Sequence, residues 1–228
     1  MTELVTIKKE DVCNLSRIPL GIDMNPVYKT ACREPINDRE LQTFREEFQP
    51  RTLSELFGVK ISSLDRYSSE HIFLPWIHTK PVDKSGIRDT AFFGMTSSDV
   101  DDKVQKISIL VKSFREMGYR PDRYWDRRGG RPTGYFLLGP DRSRRFYVVS
   151  GNHRVATYFS LEIDAEMTVA YEDMTFMKRR DLINCGFSKD GRHPKEFKLQ
   201  EAEMWPSVIS NFLTTVEARN IAEQFLKA

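Results

Sequence analysis

From Ser98 the apolar positions recur at helical spacing. Val100, Val104, Ile107, Leu110, Val111, Phe114 and Met117 fall at steps of three and four, with Asp99, Asp101 and Asp102 in the first turn and Gly118 after the last. This spacing predicts a helix whose first turn is acidic, as the helix dipole favours. The period then shortens. Tyr135 to Leu138 and Phe146 to Val149 are brief apolar runs joined by Gly139-Pro140-Asp141, a hairpin pattern. Val148-Val149 leads through Ser150-Gly151 into a second helix ending near Ser160, and a third strand is expected from Met167 to Ala170. The predicted core is a helix, a hairpin, a helix and a strand.

The flanks are less periodic. Residues 1 to about 50 carry the breakers Pro19, Gly21, Pro26 and Pro35, then a charged run from Asn37 to Gln49 with Leu41, Phe44, Arg45 and Phe48 on one face. They read as an irregular arm followed by a surface helix. Thr52-Leu53-Ser54-Glu55 is a capping-box pattern with Gly58 placed to end a short helix. His71 to Lys80 is apolar around Pro75, which predicts an extended or edge strand. Tyr119 to Gly134 reads as a loop. Beyond residue 173 the pattern is helical again, broken from Gly186 to Pro194. Trp205-Pro206 opens a short helix, and Thr214-Thr215-Val216-Glu217 caps a final one carrying Val216, Ile221, Phe225 and Leu226. The expected organisation is one α/β (α+β) globular unit: an N-terminal arm and helices (1–70), a core (71–172) and a helical C-terminal extension (173–228).

Composition narrows the function classes. At 228 residues, 39% hydrophobic and 30% charged, the chain has the makeup of a globular protein that buries its own core. Its net charge of +2 supplies no global field to recruit DNA or an anionic membrane, so an anion site must come from a local cluster. Cys13, Cys32 and Cys185 are odd in number and far apart, which indicates neither a disulfide framework nor structural zinc and fits a reducing cytoplasm. No apolar run approaches the roughly 18 residues of a membrane span, and no signal peptide is evident, so the expected location is cytoplasmic.

The chemistry concentrates at Gly151-Asn152-His153-Arg154, where a strand turns into a helix. A helix start presents unpaired N–H groups and the positive end of its dipole, and glycine admits an anion close to the backbone. Arg154 adds a permanent planar fork and His153 a second donor, with Ser150 alongside, which makes a phosphate site without a metal. The alternative is a glycine turn whose His and Arg tie the helix to neighbouring carbonyls.

The same stretch resembles the ParB/sulfiredoxin superfamily. The residues that carry the likeness are Ile109-Leu110-Val111-Lys112-Ser113-Phe114-Arg115-Glu116-Met117-Gly118-Tyr119-Arg120-Pro121, then Tyr147-Val148-Val149-Ser150-Gly151-Asn152-His153-Arg154-Val155-Ala156, then Met167-Thr168-Val169. Leu74-Pro75-Trp76, Gly94 to Ser98, Trp205-Pro206-Ser207-Val208 and Glu217-Ala218 extend it toward ParB-like proteins found beside bacterial surface-polysaccharide genes. The resemblance implies a nucleotide-phosphate site at the Gly-x-x-Arg turn, holding ATP or ADP, with CTP as a further option, and phosphoryl transfer to a small molecule in some members. Asn152 stands where sulfiredoxins have their reactive cysteine and partition ParB proteins a glutamate, which argues against both of those activities.

A second cluster, Arg120, Arg123, Arg127, Arg128 and Arg131, is interleaved with Tyr119, Tyr124 and Trp125 and followed by Arg142, Arg144 and Arg145. Arginine beside aromatics suits stacking on bases or clamping phosphates, and a solvated loop balanced by Asp122, Asp126 and Asp141 is the alternative. Arg120 is expected near the nucleotide. Base candidates are His78 and Asp99. His71 and His78 otherwise read as structural, Asp99 as a dipole partner, and the histidines lack metal-ligand spacing. The function expected is nucleotide-dependent phosphoryl transfer to a hydroxyl-bearing small molecule, such as a sugar or alditol of surface glycan assembly. In it, Gly151 and Arg154 hold phosphate, His153 donates to the transferring group, and Mg²⁺ arrives with the nucleotide. The alternatives are a non-catalytic nucleotide or sugar-nucleotide sensor and a nucleic-acid-binding protein using the arginine loop, without sequence-specific DNA recognition.

Overall fold

The computed structural model describes residues 3–15, 17–83, 95–121, 130–141, 143–171 and 195–228. Its strands are β1 (Leu4–Lys8), β2 (Asn14–Leu15), β3 (Ile18–Pro19), β4 (Thr133–Leu138), β5 (Arg144–Ser150), β6 (Glu166–Tyr171) and β7 (Glu196–Lys198). The helices are α1 (Pro26–Ala31), α2 (Arg39–Glu47), α3 (Leu53–Phe57), α4 (Ser97–Met117), α5 (Asn152–Ser160), α6 (Pro206–Ile209) and α7 (Thr215–Lys227). Helices and a mixed sheet place the chain in the α/β class. No helix among the described residues is long and apolar enough to cross a membrane.

The expected hairpin is β4 and β5, antiparallel with Phe136 opposite Phe146. The sheet runs β1-β6-β4-β5, and β4 divides its other edge between two parallel partners. β6 pairs with Thr133 and Gly134, and β7 pairs with Phe136 to Leu138. Both flanks therefore supply strands. The N-terminal segment is not the irregular arm its prolines suggested, because Leu4 to Lys8 forms a full antiparallel ladder with β6. Nor is the segment after residue 194 purely helical, since Glu196 to Lys198 adds β7. Residues 172–194, expected as mostly helix, lie outside the described residues, as do Cys185 and His193.

Strand alternation sends neighbouring side chains to opposite faces of the sheet and builds two cores. Phe136, Phe146 and Val148 meet Val100, Ile107, Val111 and Phe114 of α4 and Val155, Ala156 and Phe159 of α5. On the other face Tyr135, Leu137 and Tyr147 meet Trp76, Trp205, Ile221 and Phe225. There Trp76 donates its ring N–H to the Tyr135 hydroxyl at 2.9 Å and meets the Trp205 ring edge-on at 5.7 Å, satisfying a buried indole while packing it.

His71 to Lys80 is not a strand. Ile72 makes one bridge to Val82, then Ile77 and His78 both donate backbone N–H groups to the Leu74 carbonyl, which closes a helical turn around Trp76. Helix caps are clear in the structure, including one at α4 that the sequence reading did not name. α4 opens on Thr96, whose hydroxyl accepts from Asp99 N–H at 3.2 Å while the Asp99 carboxylate accepts from Thr96 N–H at 2.8 Å. α7 repeats this with Thr214 and Glu217. α3 has half of the pattern: Thr52 accepts from Glu55 N–H, but Glu55 reaches one residue further, to Arg51 N–H at 2.6 Å.

Candidate phosphate-binding turn

Gly151 joins β5 to α5 with φ 88° and ψ 21°, a left-handed conformation that favours glycine. A Cβ there would lie 2.9 Å from Pro132 Cα, so two requirements, torsion and space, converge on the residue. Pro132 leads into β4, where Thr133 pairs with Ser150 and the Pro132 carbonyl accepts from Ala170 N–H at 2.9 Å. Two turns are thus pressed together at one end of the sheet. Gly130, also left-handed at φ 70°, belongs to the second of them, and Arg154 donates to its carbonyl.

The N-cap of α5 is Gly151, which has no side chain to close the first turn, whereas α4 and α7 each close theirs with a Thr and an acid. Its leading N–H groups have no acceptor within the helix, as at any helix start. The Asn152 carboxamide oxygen is enclosed and has no hydrogen-bond partner among the described residues, and the same holds for Nε of Arg131, beside Pro132. The structure therefore brings Ser150, Gly151, Asn152, His153 and Arg154 to one corner, with Arg131 as an addition.

His153 is half-buried as a residue, yet its Nε2 is sealed from solvent. Desolvation, reinforced by the charges of Lys103 and Lys106 on α4, pushes its pKa down to about 3. At neutral pH the ring is uncharged, so it has a single N–H to give and no cationic charge to offer a phosphate. Lys103 is a residue that sequence reasoning missed. It is 4% exposed, and its spacing from Val100 and Ile107 puts it on the buried face of α4, a signal present in the periodicity but hidden by the habit of assigning lysine to the surface.

The remaining candidates each make a local hydrogen bond. Arg120 is exposed and donates from Nε to the Met117 carbonyl at 3.3 Å, at the end of α4. Asp99 serves the α4 capping box. His78 accepts at Nδ1 from Leu74 N–H at 3.0 Å, and its neighbours Trp76 and Ile77 belong to the core on the face of the sheet opposite α5. Of the arginine cluster, Arg144 stacks over Phe136 at 5.0 Å, and Arg145 donates to the carbonyls of Leu226 and Glu10. Arg123, Arg127, Arg128 and Arg142, with Tyr124 and Trp125, lie outside the described residues.

No protein-family signature, curated protein or solved structure matches this chain.

Proposed function

We propose that this protein binds a nucleotide through its phosphates at the Gly151–Arg154 turn and acts as a nucleotide-dependent sensor. The observation that carries this reading is Gly151 itself: a left-handed glycine, clasped by Pro132, stands at the N-cap of a nine-residue helix and brings no capping side chain of its own. Backbone N–H groups and the helix dipole there favour a phosphate, and Arg154 adds a charged fork within the same turn. ATP, ADP or CTP fits this donor set, and Mg²⁺ accompanying them would be held chiefly by phosphate oxygens and water. Sensing is preferred to transfer because Asp99 and His78 are occupied in local structure and His153 is a neutral ring.

Phosphoryl transfer to a small hydroxyl-bearing molecule, a sugar or alditol, is the second reading. Lys103 and Lys106 favour it, since their charge acts on the first turn of α5 and would stabilise a transferring phosphoryl group.

A thermal-shift panel of ATP, ADP and CTP, with and without Mg²⁺, tests the site. A nucleotide at 100 times its dissociation constant should stabilise by about 2.7 kcal/mol. In calorimetry Arg154→Lys, which keeps the charge and loses the fork, should weaken that nucleotide by about 1–2 kcal/mol. Unchanged affinity would remove Arg154 from the site. Incubating the binding nucleotide with Mg²⁺ and a panel of sugars and alditols separates the two readings by whether a phosphorylated product forms.

A further inference from the structure

β5 has β4 on one side, and on its outer edge the N-terminal segment stands in for a missing strand. Cys13 N–H donates to the Phe146 carbonyl at 3.3 Å. Asn14 then donates from Nδ2 to the Val148 carbonyl at 2.9 Å and accepts at Oδ1 from Val148 N–H at 2.7 Å. A carboxamide carries the same donor and acceptor as a peptide unit, so this side chain closes the ladder as a strand residue would. Asn14 is 1% exposed and reaches a partner 134 positions along the chain.

The position of this clamp gives it a functional consequence. The β4–β5 register passes from Gly134↔Val148 to Thr133↔Ser150, so Val149 is an extra residue, a bulge, two positions before Gly151. A bulge bends its strand and re-aims the residues beyond it, and register that slips by one residue sends every side chain to the wrong face. Holding both polar backbone groups of Val148 fixes the last regular pair ahead of the bulge. Gly134 completes the constraint from β4, because a Cβ there would lie 2.1 Å from the Tyr147 carbonyl oxygen.

We infer that Asn14 is a positioning residue for the Gly151 turn: by locking Val148 it holds the bulge at Val149 and so fixes where the first turn of α5 stands against Pro132. The consequence for ligand affinity rests on the nucleotide reading above; the consequence for register does not.

Two measurements on the full chain test this. The first is amide hydrogen exchange without ligand in Asn14→Ser and Asn14→Ala, with Ile221→Val, a core change on the opposite face, as control. Exchange at residues 149–154, beyond the amide that Asn14 itself protects, should accelerate about tenfold or more relative to the β1–β6 ladder in the Asn14 variants, while the control leaves that ratio unchanged. An unchanged ratio in Asn14→Ser overturns the register lock, and this milder variant decides if Asn14→Ala does not fold. The second is titration with ATP and Mg²⁺, where Asn14→Ser should weaken binding about tenfold and Ile221→Val should not. Accelerated exchange with unchanged ATP affinity overturns the link from register to ligand. If the wild-type chain binds no ATP, the nucleotide reading fails, and the exchange ratio alone upholds or overturns the lock.

Discussion

Gly151 answers to two independent constraints, a positive φ and the backbone of Pro132. Most residues in the left-handed region cost about 1 kcal/mol, and a bulky neighbour adds to that. Gly151→Ala is therefore expected to lose about 2 kcal/mol or more in urea unfolding, since a Cβ 2.9 Å from Pro132 Cα forces backbone to move. A loss below about 0.5 kcal/mol would mean that the turn relaxes freely, at the level of an ordinary surface change. His153 yields a pH prediction. Its folded value, about 3, lies below its ordinary value of 6.5, so as pH falls the unfolded chain takes up the proton first. Stability from the neutral ring is complete above about pH 6.5 and declines from there toward pH 3, by at most about 1.4 kcal/mol per unit. Unfolding at about pH 5 and about pH 7.5 should show a shallower acid loss in His153→Gln than in wild type. Equal slopes would show that the ring is not desolvated. At this scale the sequence made Gly151, Asn152, His153 and Arg154 visible as a group. Its alternative reading, an arginine tying the helix to a neighbouring carbonyl, is what Arg154 does at Gly130, although the partner itself was not legible because it comes from a separate turn; the burial of Lys103 was present in the helical spacing and went unread.

Elements announced by local chemistry were legible, and those made by long-range pairing were not. α4 was readable from its period and acidic first turn, and α7 from a Thr-x-x-Glu cap ahead of apolar positions, whereas the Thr96–Asp99 box of α4 went unread. β7 has one apolar residue, Phe197, in three, which is no pattern; its partner is β4, roughly 60 residues earlier. The His71–Lys80 segment misled for a related reason. Pro75 excludes a regular helix, but a single turn closed on the Leu74 carbonyl tolerates it, and burial of Trp76 selects that turn over extension. The α4 cap supplies a test of role. Asp99→Ala removes the acceptor for Thr96 N–H and should cost about 1 kcal/mol of stability. Nucleotide affinity should not change, because α5 rather than α4 presents the proposed anion site. Turnover lost together with unchanged affinity would instead restore Asp99 as a base.

Across the whole molecule, charge and connectivity act together. A net charge of +2 provides little long-range attraction for a polyanion. One of the arginines that might have formed a basic face is tied into the fold, since Arg145 bridges β5 to the carbonyls of Glu10 and Leu226, while Arg144 lies exposed over Phe136. To take a phosphate, Arg145 must give up these two bonds, one exposed and one part-buried, at about 0.5–1.5 kcal/mol each, and Arg154 faces the same cost at the Gly130 carbonyl. Duplex DNA is therefore expected to bind weakly and without sequence preference, through whatever exposed basic side chains such as Arg120 can add. Anisotropy titrations with several unrelated duplexes should give similar affinities, weaker than about 10⁻⁶ M at physiological salt and falling steeply as salt rises. Nanomolar binding to one sequence, tighter by about 10³ or more than to the others, would require a recognition surface beyond this fold's committed arginines and would overturn the prediction.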